Sequence, residues 1–311
     1  MSAPRPAHMP RVCVLMSTYN GAAHLREQVD SVLGQVGCDV RLLARDDGSR
    51  DESVRILEEY ALRDARVSVC AEENLGVVAS FHSLLLRAGG DCGYVAFCDQ
   101  DDVWFEDKLA RATARLAPLG DEPAMYCSRL ALVDATLRPL GLSPLAVRGP
   151  AFENALVENI ATGCTVVLNR SARTLLLELL AEQDVRMHDW WAYLVLSAFG
   201  RVIYDEEPTI QYRQHGGNVV GAATGLARWR QRIDRFRSGA HRSLTSAQAA
   251  AFAARCADRL PERHRRVLHS FVSAARGGLA RRLWYALTAD VWRQRRLDNL
   301  VFRCLIVLGR V

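Results

Sequence analysis

The chain has 311 residues, half of them apolar and 24% charged, with 21 glycines and ten prolines; this suffices for one large core or two modest ones and excludes a disordered, collagenous or low-complexity protein. The nine cysteines include no C-x-x-C pair and no cysteine/histidine cluster at zinc spacing, which argues for reduced, mostly buried thiols and against a disulfide framework. The net charge of +5 is uneven: residues 222–311 hold 19 arginines, no lysine and five acidic residues, an excess of 14 positive charges, whereas the remainder holds 21 basic and 30 acidic residues, an excess of nine negative ones.

"RVCVLM" at residues 11–16 reads as a short strand ending at Ser17-Thr18-Tyr19-Asn20-Gly21, after which Leu25, Val29, Val32 and Leu33 fall at helical spacing. The same order then recurs. "DVRLLA" (39–44) runs into Asp46-Asp47-Gly48-Ser49 and a helix through Val54, Leu57 and Tyr60. "RVSVC" (66–70) runs into Asn74-Leu75-Gly76 and a helix through Val77, Phe81 and Leu84, and "YVAFC" (94–98) runs into Asp99-Gln100-Asp101-Asp102. Such alternation predicts an α/β, Rossmann-like architecture: a mainly parallel sheet flanked by helices. Ligands of these sheets bind beyond the carboxyl ends of the strands, so the three polar runs are expected to converge on one edge.

No G-x-G-x-x-G follows the first strand and no G-x-x-x-x-G-K-[ST] occurs, which removes the usual phosphate cradles. Asp99, Asp101 and Asp102 repel one another and call for a cation. Carboxylate oxygens suit Mg2+ or Mn2+, which keeps open positions for the phosphates of a nucleotide diphosphate. The alternative is ordinary: Asp102 caps the next helix and the others are solvated.

Farther along, "RVIYDEEPTIQY" (201–212) is strand-like and leads into the glycine-containing "RQHGGN". "LTSAQAAAFAARCADRL" (244–260) reads as a helix capped by Ser246. Leu279, Leu283, Leu287 and Val291, with Trp284 and Trp292, then fall at helical spacing among arginines, which predicts one amphipathic helix. Its Arg/Trp/Leu composition suits a membrane surface; packing on the rest of the chain, or on a second copy in a homodimer, is the alternative, and no nucleic-acid recognition motif is present. No apolar run approaches the ~20 residues that span a bilayer and no signal peptide is apparent, so the expected location is the cytoplasm or the inner face of the plasma membrane.

Six stretches resemble a known family: "VLMSTYNGAAHL", "ARDDGSRDES", "ENLGVVASF", "VAFCDQDDVW", "GCTVVLNRS" and "MHDWWAYLVLSAFGRVIYDEEPTIQYRQHGGN". In order and spacing they are similar to the inverting glycosyltransferase family 2, of GT-A fold, and within it to the bacterial rhamnosyltransferase-like branch. The resemblance implies a GT-A catalytic domain over residues 1–222, followed by the Arg-rich helical region 223–311. It implies a dTDP- or UDP-sugar donor, dTDP-L-rhamnose above others, held with Mg2+ or Mn2+, and a hydroxyl acceptor on a glycan or lipid-linked glycan. Transfer of another hexose from UDP-glucose or UDP-galactose, and a non-catalytic nucleotide-sugar-binding module, are the alternatives.

By the resemblance, Ser17, Tyr19, Asn20, Asp46 and Asp47 lie against the base and ribose, where a carboxylate can accept the imide N–H of a pyrimidine. Asp99 falls near the ribose and Asp101 on the metal; His215 completes the metal shell, or Arg213 and His215 together contact the diphosphate. Asp189 is the general base for the attacking hydroxyl, with a carboxyl raised by apolar surroundings. Trp190 and Trp191, with His188 and Asp102, are placed about the sugar and acceptor. The plainer reading of 189–196 is a core helix with Asp189 at its N-terminus.

Overall fold

A computed structural model of the chain describes residues 9–180, 185–214 and 244–311. The expected boundary between residues 222 and 223 lies outside the described residues, as does His215. All four predicted strands form, as β1 (Arg11–Thr18), β2 (Asp39–Asp46), β3 (Val67–Ala71) and β4 (Tyr94–Cys98), alternating with α1 (Leu25–Leu33), α2 (Ser53–Arg63) and α3 (Val77–Arg87). β1 is apolar on both faces because helices cover both sides of it. Val12, Val14 and Met16 share one core with Val29 and Val32 of α1, while Cys13 and Leu15 share another with Phe81 and Leu84 of α3.

Past β4 the chain forms β5 (Val103–Trp104), α4 (Lys108–Leu116), β6 (Ala124–Ser128), β7 (Ala131–Val133), β8 (Pro139–Leu142), α5 (Phe152–Ala155), β9 (Val167–Asn169), α6 (Arg170–Glu178), α7 (His188–Phe199), β10 (Arg201–Asp205) and β11 (Ile210–Arg213). The central sheet has the order β10-β6-β9-β4-β1-β2-β3. Neighbours run parallel except at β9, which is antiparallel to β4 and β6. Register pairs Met16 with Cys98 and Thr18 with Asp46, so the loops after β1, β2 and β4 leave the same edge side by side. A smaller sheet, β5-β11-β7-β8, begins where the loop after β4 ends; pairing of Ile210 with Trp104 returns β11 to that loop.

The C-terminal region is helical: α8 (Leu244–Cys256), α9 (Glu262–Arg276), α10 (Leu279–Thr288) and α11 (Arg296–Val307). The single amphipathic helix expected through Trp292 is instead interrupted between α10 and α11. There Val291 is buried, the Gln294 N–H donates to Glu158 (2.7 Å) and its side-chain amide to the Gly149 carbonyl (2.8 Å), and Asn154 donates to the Trp292 carbonyl (3.1 Å). These contacts draw the segment onto the half that carries the sheets. Ser246, expected as a cap, lies within α8 and donates its hydroxyl to the Val311 carbonyl at 2.6 Å. Phe252, Leu268, Phe271 and Phe302 share a core with Phe81, Phe152, Trp191 and Leu194, so the helical region packs on the half that carries the sheets. Seven cysteines are buried free thiols and Cys304 is exposed. Among the described residues no helix is long and apolar enough to cross a membrane.

Candidate active site

Carboxylates build the turn after β2. Asp46 accepts hydrogen bonds from the N–H groups of Gly48 (3.1 Å) and Ser49 (2.8 Å) and from the hydroxyls of Ser49 (2.5 Å) and Thr18 (3.0 Å). That fills the acceptor sites of a carboxylate, so Asp46 holds the turn and does not read a base. Asp47, also buried, pairs with Arg45 and accepts the N–H groups of Leu75 (2.8 Å) and Gly76 (2.9 Å). Exposed surface on this strip belongs to Tyr19 and Asn20, while Ser17 is half-buried with its hydroxyl on Ser80 at 2.6 Å. Asn20 takes a left-handed φ of 50° and accepts the Arg50 N–H through its side-chain oxygen at 2.8 Å. Gln100 ties the acidic loop to the first one, accepting the Tyr19 N–H (2.7 Å) and donating to the Tyr19 carbonyl (3.2 Å).

Asp99 and Asp101 sit half-buried at the lip of the acidic loop, with Asp102 fully buried. Ligand atoms of Asp99, Asp102 and Cys164 lie within 4.8 Å of one another; Asp101 is outside that trio. Burial lifts the Asp99 carboxyl to about 7, and the charges of Asp101 and Asp189 push the same way. Asp102 rises well above the usual carboxylate range through burial and then through Asp101 and Asp99. One Asp102 oxygen accepts the Arg213 N–H at 3.1 Å, and the other is buried with no hydrogen-bond partner among the described residues. The chain's only lysine, Lys108, lies buried with Nζ 3.4 Å from the centroid of the Trp104 ring. Burial lowers its ammonium to about 8 against the pull of Asp102 and Asp99, so it remains a cation at neutral pH.

These donors fit a hard divalent cation: half-exposed carboxylates at the lip and, behind them, a buried carboxylate oxygen with no hydrogen-bond partner among the described residues. Cys164 does not extend the set, because burial and then Asp102 and Asp99 push its thiol well above the ordinary range and keep it protonated. Two expectations are corrected here. Arg213 is buried and does not face a diphosphate: its Nε donates to the Asp101 carbonyl (2.8 Å), one terminal nitrogen to the Ala135 carbonyl (2.5 Å) and the other to Glu27. A buried guanidinium needs such acceptors, and here they make Arg213 a clamp on the acidic loop. Asp102, fully buried, has no surface to offer a sugar or acceptor.

Asp189 lies in the first turn of α7, where its two oxygens accept the N–H groups of Gly163 (2.9 Å) and Trp190 (2.6 Å). Burial lifts its carboxyl to about 6 against those hydrogen bonds. Cys164 of the acidic trio follows Gly163 directly, within the single 3₁₀ turn Gly163–Thr165, and the charge of Asp189 reaches Asp99. The aromatic residues beside it do not face this site. The indole N–H groups of Trp190 and Trp191 donate to the carbonyls of Ala155 (2.6 Å) and Leu179 (3.1 Å), and both rings are core. His188 stacks on Phe81 with centroids 3.8 Å apart and has no hydrogen-bond partner at either ring nitrogen among the described residues; burial drops it to about 3, so it is a neutral wedge. The core-helix reading holds for these three, because α7 is covered on nearly all sides. Gln100, Gly163, Cys164 and Lys108 were not predicted; the first lies inside the acidic motif, and Lys108 stands out in sequence only by its rarity.

The family described as Glycosyl transferase family 2 matches residues 13–171, about half of the chain. Over 307 residues the chain is 26% identical to the dTDP-rhamnosyl transferase RfbG of Shigella flexneri, covering 94% of this chain and 99% of that protein. Over 163 residues it is 32% identical to the putative teichuronic acid biosynthesis glycosyltransferase TuaG of Bacillus subtilis (strain 168), covering 52% of this chain and 63% of that protein. Among solved structures, S. aureus TarS 1-349 aligns with a TM-score of 0.58 at 15% identity, over 96% of this chain and 87% of that one. The mannosyltransferase PcManGT from Pyrobaculum calidifontis, in complex with GDP-Man and Mn2+, aligns with a TM-score of 0.55 at 19% identity, over 99% and 88%. At these identities the structural likeness is one of fold.

Proposed function

Because the chain belongs to glycosyltransferase family 2 and has the GT-A fold, we propose that it transfers L-rhamnose from dTDP-L-rhamnose, with inversion, to a hydroxyl of a cell-surface polysaccharide or glycolipid acceptor. The Shigella flexneri relative, matched over nearly its whole length, supports the donor. One observation carries the reaction type: the Gly163 N–H holds Asp189 while the adjoining Cys164 lies against Asp99 and Asp102, so a single turn joins a lone carboxylate to a carboxylate cluster.

The nucleotide lies along the exposed strip of Tyr19 and Asn20 at the carboxyl ends of the strands. Asp99 and Asp101, with Asp102 behind them, would hold Mg2+ or Mn2+, which when bound neutralises the departing diphosphate. Asp189, ionised above about 6, accepts the proton of the acceptor hydroxyl as its oxygen attacks the anomeric carbon from the face opposite the diphosphate. The bond from that carbon to the diphosphate breaks, and the anomeric configuration inverts. The hydrogen bonds from Gly163 and Trp190 fix the direction in which Asp189 points. A lipid-linked acceptor at the inner face of the plasma membrane fits the composition of the C-terminal helices.

The test is a panel of dTDP-, UDP- and GDP-sugars given to the purified full chain with Mg2+ or Mn2+. Release of dTDP from dTDP-rhamnose, with an acceptor product of inverted configuration, is the expected result. Turnover confined to a UDP-hexose would replace the donor assignment, and dTDP binding without turnover of any donor would make the protein a binding module.

A further inference from the structure

Seven of the seventeen exposed large apolar side chains among the described residues fall within residues 279–308. On α10 they are Leu279, Leu283, Trp284 and Leu287, the last two 64% and 79% exposed. On α11 they are Leu297 and Leu300, with Leu308 just past its end. The opposite faces of both helices are buried: Tyr285 and Phe302 each lie against Phe271 of α9, with ring centroids 6.2 and 6.3 Å apart. The Arg303 guanidinium donates to the carbonyls of Ala286 (2.9 Å) and Leu287 (3.2 Å), fastening the two helices together. With 3.6 residues per turn, the exposed leucines of each helix lie on the side away from Phe271. The pair therefore presents a doubled apolar stripe outward, an uncommon arrangement on a soluble surface.

Charge decides what covers it. Residues 279–311 hold seven arginines, no lysine and two acidic residues, and Arg281 and Arg296 are exposed. A two-fold dimer through this face would set the same positive patch against itself. Polyanionic nucleic acid would satisfy the arginines and leave the leucines in water. An anionic bilayer satisfies both, with the leucines and Trp284 in the acyl boundary and the arginines at the headgroups. Helices of ten and twelve residues are about 15 and 18 Å long, too short for a bilayer core of about 30 Å. We propose that α10 and α11 together form a docking face that lies on an anionic lipid surface. The inference rests on the transfer reaction only for its purpose, presenting the site to a lipid-borne acceptor; the docking is read without turnover.

The test floats the full chain with vesicles of phosphatidylcholine alone or with phosphatidylglycerol. Flotation only with the anionic vesicles is expected, lost at about 1 M salt, where the screening length falls to about 3 Å. The double variant Trp284→Glu/Leu300→Glu should bind at least about tenfold more weakly, with an unchanged thermal midpoint because both positions are exposed. Leu62→Glu, at another exposed leucine on α2, should bind like the parent. Equal flotation of the double variant, binding independent of lipid charge, or no flotation would overturn the proposal. So would a dimer in solution, or retention on DNA, abolished by the same two substitutions in a chain that ignores vesicles.

Discussion

In the proposed role Asp189 must hold a raised carboxyl and still ionise near neutral pH; burial supplies the first, and the Gly163 and Trp190 N–H groups favour the second by bonding the ionised form. Replacing Asp189 with Ala should lower turnover by about 10²- to 10⁴-fold while dTDP binding, read by calorimetry, stays as in the parent, since the strip that would hold the nucleotide is elsewhere. The pH dependence has a definite sign. Protonated Asp189 is no base, so kcat/KM should rise with pH through about 6, continue to rise as Asp99 ionises at about 7, and level off above that. A flat profile, or turnover persisting in Asp189→Ala, would remove the residue from that role. The cluster of Asp99, Asp101 and Asp102 stood out in the sequence because it follows an apolar strand-like run directly, whereas Asp189, in the first turn of a helix, was singled out only by the resemblance. Which polar residues are spent on the fold was not legible. Asp46 and Arg213 carry side chains suited to ligands, but burial obliges them to bond their own backbone, and the local sequence gives no measure of that burial.

Among elements, the 3₁₀ turn Gly163–Thr165 is buried and closely packed. A Cβ on Gly163 would stand 3.0 Å from His188 Nε2 and 3.5 Å from the Asp189 Cβ. His188 has little room to retreat, with Phe81 stacked on it and the Phe97 ring edge-on, centroids 5.0 Å apart. Gly163→Ala should therefore push the start of α7 away from the acidic loop. A shift of about 1 Å can cost about 10²-fold in rate, so we expect turnover to fall by roughly ten- to a hundredfold with donor affinity little changed. Parent-like kinetics would show that the turn does not set the position of Asp189. The strand and helix alternation of the first half was legible because each element declares itself within a dozen residues. The break between α10 and α11 was not: the spacing of Leu279, Leu283, Leu287 and Val291 runs on helically, while the partners of Gln294 that end the helix lie more than a hundred residues earlier in the chain.

At the scale of the whole molecule, opposite charge excesses divide the sequence into two parts, but packing joins them. Phe252 of α8 lies 5.9 Å from Phe152, 5.7 Å from Trp191 and 6.2 Å from Phe199, ring centroid to centroid, which puts a helical-region side chain against α7, whose first turn carries Asp189. Charge describes the surfaces each part shows to its partners; it carries no information on whether their apolar faces meet. If the core is shared, the full chain unfolds in one transition, and a cavity cut on the helical side is felt on the catalytic side. Phe252→Ala should cost about 3–5 kcal/mol and lower the midpoint seen by tryptophan fluorescence and by helical circular dichroism to the same extent. The catalytic half should lose its dTDP binding at that same denaturant concentration. Two separated transitions, with only the later one carrying dTDP binding and the variant moving only the other, would mean that the helical region is a domain of its own.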